Sequence, residues 1–276
     1  MRVAFTLLIA LLAGCGAGDV ANCAALRRSA PDKALEHCNR ALESRLVWSK
    51  EKARARLDRG ALLADREQWD ASIADITRAI DSDRLTPQHL VVAYFDRGTA
   101  RLRKGDLDAA VGDLDEAIRL DPLYADAFSN RALAWRMKGQ LEQAHADANA
   151  ALRITPRHAR ALLQRGSTYL VQGDGGKALA DLNEAIRLDP GLQAAWNVRG
   201  LLRRAARDWD GALADFDQAV KLAPRNAAAL RNRASVLALK RDFDRALADL
   251  DASLKFDPRS AEALQRRAAI YAERAK

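Results

Sequence analysis

The sequence predicts an all-α chain of stacked helical hairpins, and three observations carry that reading. First, residues 125–158, ADAFSNRALAWRMKGQLEQAHADANAALRITPRH, return along the chain in altered form with a period of 34 residues. Second, Phe128, Ala132 and Trp135 fall at i, i+4 and i+7 in the first half of that unit. Ala144, Ala148 and Ala151 do the same in the second half, so each half presents one apolar face of a helix. Third, Gly139 lies between the halves and Pro156 follows the second. Proline has no N–H and cannot continue a helix, so the unit reads helix, turn, helix, stop. A hairpin of this size cannot bury its own apolar face; stacking on further copies does so.

In chain order, residues 1–14 come first and differ from everything after them. Met1-Arg2 precedes the apolar run Val3 to Ala13, whose 11 residues are too few to span a bilayer and suit the core of an export signal. The run ends in Leu12-Ala13-Gly14-Cys15, which resembles the lipobox of bacterial lipoproteins. That resemblance implies a signal peptide at 1–14, lipid on Cys15 and, with Gly16 rather than Asp next, delivery to the outer membrane of a Gram-negative bacterium. Cleavage without lipid is the alternative. The expected location is therefore periplasmic, with membrane attachment through an N-terminal lipid only.

Residues 15–52 form the second segment: the lipidated Cys, a short tether, a degenerate helical hairpin and the connector Arg45 to Lys52. Cys23 and Cys38 lie about equally far from the turn Arg28-Ser29-Ala30-Pro31-Asp32, with a helix expected on each side. Residues equidistant from the turn of a helical hairpin sit at one level, so a disulfide between them is expected in an exported chain. Two buried free thiols are the alternative.

The array occupies residues 53–276, with repeats starting at 53, 91, 125, 159, 193 and 227 and a capping helix at 261–275. Position 8 of the unit reads Gly60, Gly98, Ala132, Gly166, Gly200, Ala234 and Ala268. Position 20 reads Ser72, Ala110, Ala144, Ala178, Ala212 and Ala246, and position 27 is equally small throughout. Small side chains let crossing helices approach closely, so this is a packing code. Four extra residues between the first two repeats fall at Ser82 to Leu90, which is expected to be a loop that bends the stack. The cap carries Glu262, Gln265, Arg266 and Glu273 on its outer side.

The period and the small-residue skeleton resemble the tetratricopeptide repeat family, from Ala53 to about Ala275. The resemblance implies a right-handed α-solenoid with a concave groove. The chain departs from the family pattern in carrying Arg56 at the first position 4 and Arg at every position 7. Those arginines, Arg59, Arg97, Arg131, Arg165, Arg199, Arg233 and Arg267, are matched by Asp75, Asp113, Asp147, Asp181, Asp215 and Asp249 at position 23. Pairing is expected. Arg267 has no Asp of its own, which favours rungs between repeats, Asp249 to Arg267 for instance.

Little in the chain suggests chemistry. Arg outnumbers Lys 35 to 10 in a net charge of +8, yet much of that Arg sits at fixed repeat positions, so nucleic acid is not the expected partner. Gly173-Asp174-Gly175-Gly176-Lys177 lacks the flanking Gly, the Ser or Thr and the preceding strand of a phosphate loop. His37, His89, His145 and His158 have no metal-ligand spacing, and no catalytic constellation emerges, so no cofactor, metal or enzymatic activity is expected. Trp48, Trp69, Trp135, Trp196 and Trp209 are expected in packing.

The resemblance implies that positions 2, 5, 6, 9, 12 and 13 of each first helix line the groove. In the middle repeats these supply Arg103, Asn130, Arg136, Arg160, Gln164, Asn197, Arg204, Arg231 and Asn232, with Ser129, Ser167 and Ser235 between them, whereas Asp58, Asp65 and Asp96 make the N-terminal end acidic. No frame matches the family's clamp for a C-terminal carboxylate; the nearest offers Phe95, Thr99, Asn130, Arg160 and Gln164. The expected function is a non-enzymatic scaffold or adaptor of the bacterial envelope that binds a protein or extended peptide of acidic character. A structural or glycan-associated envelope protein without a specific peptide ligand, and an assembly factor for a surface secretion or pilus machine, are the alternatives.

Overall fold

In the computed structural model, residues 18–274 are described, and they are helical throughout with no strand among them. The chain divides into two compact units, 1–140 and 141–276. The first holds α1 (18–25), α2 (Pro31–Glu43), α3 (Ser49–Asp65), α4 (Trp69–Ile80), α5 (Pro87–Lys104), α6 (Leu107–Leu120) and α7 (Ala125–Met137). The second holds α8 (Leu141–Ile154), α9 (Ala159–Gln172), α10 (Gly175–Leu188), α11 (Gln193–Ala205), α12 (Trp209–Leu222), α13 (Ala227–Leu239), α14 (Phe243–Phe256) and α15 (Ala261–Arg274). No helix among the described residues is long and apolar enough to cross a membrane. Cys15 and the 1–14 segment lie outside the described residues.

Within each unit a helical pair closes through one residue in the left-handed region, position 15 of the repeat: Glu67 and Gly105 in the first unit, Gly173, Arg207 and Arg241 in the second. The two helices then cross at the small positions. A Cβ built on Gly166 would lie 3.1 Å from Leu182 and 3.2 Å from Asp181, and one on Gly200 would lie 2.6 Å from the Phe216 ring. Ala178, Ala185, Ala212 and Ala219 are fully buried in the same crossings.

Within each unit the backbone of each first helix approaches the next first helix, α3 to α5 to α7 and α9 to α11 to α13 to α15, whereas among the described residues no two second helices approach so closely. The first helices therefore crowd the inner side of each unit and the second helices splay on the outer. That asymmetry puts the first-helix positions where a groove needs them.

Three expectations need correction. The four extra residues do not all form loop: Pro87 opens α5, whose cap Thr86 accepts a hydrogen bond from the His89 N–H, and residues 87–90 make an added first turn. The Arg45 to Lys52 connector is also shorter than expected, because α3 starts at Ser49. Trp48 is not packed: as the residue before α3 it stands 77% exposed.

The N-terminal hairpin is a small core of its own. Val20, Cys23, Ala34, Cys38, Ala41 and Val47 cluster with Ala55 and Leu62 of α3, and the Cys23 and Cys38 sulfurs are bonded across α1 and α2, with Cα atoms 4.9 Å apart.

Candidate partner-binding site

The arginine ladder frames the site. Arg199 donates through Nε and Nη2 to the two Asp215 oxygens at 3.0 and 2.7 Å, and through Nη1 to Asn183 Oδ1 at 2.7 Å. Arg165 does the same with Asp181 and Asn149, and Arg233 with Asp249 and Asp217. In the first unit Arg59 joins Asp75 to Asn39, and Arg97 joins Asp113 to Thr77. The expected rung from Asp249 to Arg267 is not formed; Arg267 meets Asp251 at 2.7 Å instead.

The Arg–Asp pair thus closes within a repeat, and the coupling between repeats runs through position 25. The reason is guanidinium geometry: one edge forks onto a carboxylate while the remaining nitrogen stays free to reach the preceding repeat. Position 25 reads Thr77, Asp115, Asn149, Asn183, Asp217 and Asp251, an acceptor every time, a signal present in the sequence and missed. Asp215 is 1% exposed, so its charge requires this pairing; Arg203 adds a second cation at 3.0 Å. The bonded carboxylates raise the Arg165 and Arg233 guanidinium pKa values further, through the hydrogen bonds from Asp181 and Asp249 first.

The candidate groove residues separate into three groups. Several polar ones are occupied by neighbouring first helices: Asn130 Nδ2 donates to Thr99 Oγ1 at 2.9 Å, and Asn232 Nδ2 to Asn197 Oδ1 at 2.9 Å. Gln164, Ser129 and Ser167 are buried, and Gln164 Oε1 and the two serine hydroxyls have no partner among the described residues. Arg231 is drawn onto Asp257 at 3.4 Å and Glu262 at 3.3 Å. Arg103 and Arg160 are exposed, and Arg136 has a buried Nε without a partner among the described residues. Burial lowers the Arg136 pKa.

Arg204 has the most site-like surroundings. Its Nη1 donates to Ser235 Oγ at 2.9 Å, and its pKa is lowered by burial first and by the nearby Arg266 second, against the opposing charge of Glu262. It borders a cavity of about 710 Å³ lined also by Ala234, Ala238, Leu250, Ala269 and Ile270, with Arg241, Arg266 and Glu273 among its polar lining. Arg266 itself is held by Glu262 at 2.9 Å. Trp209, Arg241 and Ile270 come from positions outside the six groove positions, so the sequence pattern did not flag them.

In the first unit the acidic end is a strained electrostatic group. Asp58 sits 3.5 Å from Arg27, and burial raises its pKa in spite of that cation. Asp96 is pushed up to about 6, by burial first, with Asp65 and Asp58 adding and Arg27 opposing.

The histidines have local roles. His37 meets Asp19 at 2.6 Å, His89 bonds Thr86, and His158 Nδ1 accepts from the Ala161 N–H at the start of α9. His145 lies edge-on to Tyr169 with its pKa lowered by burial and then by Arg165. Among the described residues no cluster of His, Cys, Asp or Glu could hold a metal. Gly173 ends α9 with φ of 82°, and Asp174 accepts from the Lys177 N–H to start α10, so the glycine-rich stretch is a helix-to-helix turn.

Comparison with known proteins agrees with this architecture. The tetratricopeptide repeat family model matches residues 95–156, 138–192 and 197–274. Among solved structures the chain is similar to a tetratricopeptide repeat protein from Parabacteroides merdae, with a TM-score of 0.73 at 13% identity, covering 94% of this chain and 99% of that one. It is similar to a thermophilic tetratricopeptide repeat protein of Thermus thermophilus, with a TM-score of 0.59 at 25% identity, covering 67% and 99%. A third similar structure is that of pilF of Pseudomonas aeruginosa, with a TM-score of 0.57 at 23% identity, covering 68% and 87%. No curated protein matches the chain. With the repeat period, the hairpin stacking and a family model that covers more than half of its residues, the chain belongs to the tetratricopeptide repeat family.

Proposed function

We propose that the protein is a non-enzymatic adaptor of the bacterial cell envelope, exported and held at the outer membrane by lipid on Cys15, which captures an extended acidic segment of a partner protein. The repeat fold supports a protein-interaction scaffold. The observation that carries the acidic partner is the Arg204 cavity: a half-buried guanidinium whose one hydrogen bond among the described residues is to a hydroxyl, beside the like charge of Arg266, above a floor of Ala238, Ala269 and Ile270. A partner carboxylate would bond Arg204 directly, where Glu262 acts on it only through its field, and an adjoining apolar side chain would cover the floor. Export is supported by the apolar run ahead of Leu12-Ala13-Gly14-Cys15 and by a Cys23–Cys38 bond suited to an oxidising compartment.

Capture from envelope extract tests the partner reading. The wild-type chain is expected to retain a partner in amounts that fall as salt is raised, because exposed charge pairs are screened over about 8 Å at physiological ionic strength. Arg204→Ser with Arg266→Ser should lose it while helicity and melting stay unchanged. Undiminished capture by that double variant places binding elsewhere. Labelling with a palmitate analogue tests the anchor: wild type should incorporate label and Cys15→Ser should not.

A further inference from the structure

The turn between α2 and α3 is built to hold apolar side chains in water. After Glu43 the chain runs extended through Ser44, whose hydroxyl accepts from the Leu46 N–H at 3.2 Å, and Val47 turns inward to join the hairpin core at 8% exposure. Residues 45–47 form a turn and bend that carries the Val47 side chain into the core and leaves its neighbours outside. Leu46 is 45% exposed and Trp48 is 77% exposed. Arg45 and Lys50 are exposed on either side of them, and neither has a carboxylate partner among the described residues. The result is an exposed leucine and an exposed indole two residues apart, with Arg45 and Lys50 on either side and Glu43 just before the turn, whose Val47 is held in the core.

The same tip carries the start of the described chain. α1 runs antiparallel to α2, with Cys23 bonded to Cys38 and with the Asp19 carboxylate accepting from Arg40 Nε at 3.1 Å near the last turn of α2. Gly18 is therefore at the end of the hairpin where α2 gives way to the 44–48 turn. Val20 and Lys50 line one hollow of about 700 Å³, which confirms that the two stretches are neighbours. The apolar run Val3 to Ala13 and Cys15 join the molecule at this end.

We infer that Leu46 and Trp48 are a membrane-docking tip, seated among the headgroups of an anionic bilayer with Arg45 and Lys50 against lipid phosphates. Tryptophan favours that depth because its ring is apolar while its N–H stays wet, and cations near an anionic surface add attraction. A tip that holds the first hairpin to the bilayer orients the repeats that follow. The choice of a bilayer as occupant rests on the envelope reading above; the geometry of the tip does not.

The test uses the full chain carrying Cys15→Ser, so that no lipid on residue 15 contributes, mixed with phosphatidylcholine vesicles with and without phosphatidylglycerol and with brominated acyl chains. The N-terminal apolar run is the same in every chain compared, so differences report on the tip. Bromine should quench part of the parent's tryptophan emission, and adding Trp48→Phe should remove most of that part, since the other four of the five tryptophans stay away from lipid. Leu46→Ser with Trp48→Ser should weaken co-sedimentation about tenfold, and Arg45→Ser with Lys50→Ser should remove the preference for phosphatidylglycerol. Equal quenching with and without Trp48, or co-sedimentation that is absent in the parent or unchanged in Leu46→Ser with Trp48→Ser, overturns the inference. So does shielding of Trp48 by an envelope protein and not by vesicles, which assigns the tip to a protein. Failure of palmitate labelling of wild type would sink the lipid anchor and leave this result standing.

Discussion

Arg207 shows at one residue how the repeat tolerates strain. It sits at φ of 61°, in the turn position that Gly173 fills at 82° and Gly105 at 91°. A side chain there costs about 1 kcal/mol, because Cβ crowds the following carbonyl. Arg207→Gly should therefore stabilise the chain by about 0.5 kcal/mol once the greater freedom of unfolded glycine is subtracted, read as a raised urea midpoint. Gly200 is the converse case, with Phe216 2.6 Å from where a Cβ would stand. Gly200→Ala should cost about 1 to 3 kcal/mol by overpacking, and an unchanged melting temperature would contradict the tight crossing. Asp96 supplies a pH dependence. Its carboxyl titrates at about 6 in the folded chain, above its ordinary value, so between pH 4 and 6 the folded state holds a proton that the unfolded state has released. Stability contributed by the protonated form is therefore present at low pH and lost as pH rises through 6, by roughly 3 kcal/mol in all. Asp96→Asn should flatten that loss, with thermal melts at pH 4.5 and 7.5 as the measure.

At the scale of elements, the N-terminal hairpin relies on its cross-link. α1 is short, with Val20 and Cys23 its buried residues and Leu26, just past its end, partly buried. Cys23→Ser with Cys38→Ser should cost about 2 to 3 kcal/mol, from the freedom regained by a loop of separation 15. Mass spectrometry of the unreduced protein should find the two cysteine peptides joined. Between later helices the ladder plays the equivalent part. Removing Arg199 leaves Asp215 buried with only Arg203 beside it and strips Asn183 of its donor, so Arg199→Ala should cost about 3 kcal/mol. A lysine there keeps the charge and loses the fork, and should rescue only part of the loss.

At the scale of the whole molecule, each compact unit is a stack of helices. In the second, α15 covers Leu237 and Leu250 with Ala263 and Ile270 and forms a wall of the Arg204 cavity. Its exposed side carries Glu262, Gln265 and Glu273, as a terminal repeat requires, together with Leu264 at 43% and Tyr271 at 53% exposure. Ending the chain after Ser260 should cost about 3 to 6 kcal/mol, from uncovering two or three large side chains, and should raise binding of an apolar dye. Partner capture should fall with it.

The sequence by itself determined the repeat. Period, helix pairing and small crossing residues are written in residues that are close along the chain, where a 3.6-residue turn and the sterics of Gly and Ala leave one reading. It also singled out Cys23 and Cys38, because equal distance from a turn is a statement about chain length. The tertiary structure alone decided which partner each charged group takes. Arg199 is within reach of carboxylates and amides in its own and the preceding repeat, and only the crossing angle of the helices makes the fork close on Asp215 and the third donor on Asn183. The same holds for the candidate groove: Arg204 and Arg231 look alike in the sequence, yet Glu262 and Asp257 fold onto Arg231 and leave Arg204 with a hydroxyl. Trp48 reads as core by composition and stands in water because the inward place on its turn is taken by Val47. Local periodicity sets the elements; which side chain wins a shared space is settled only when the helices meet.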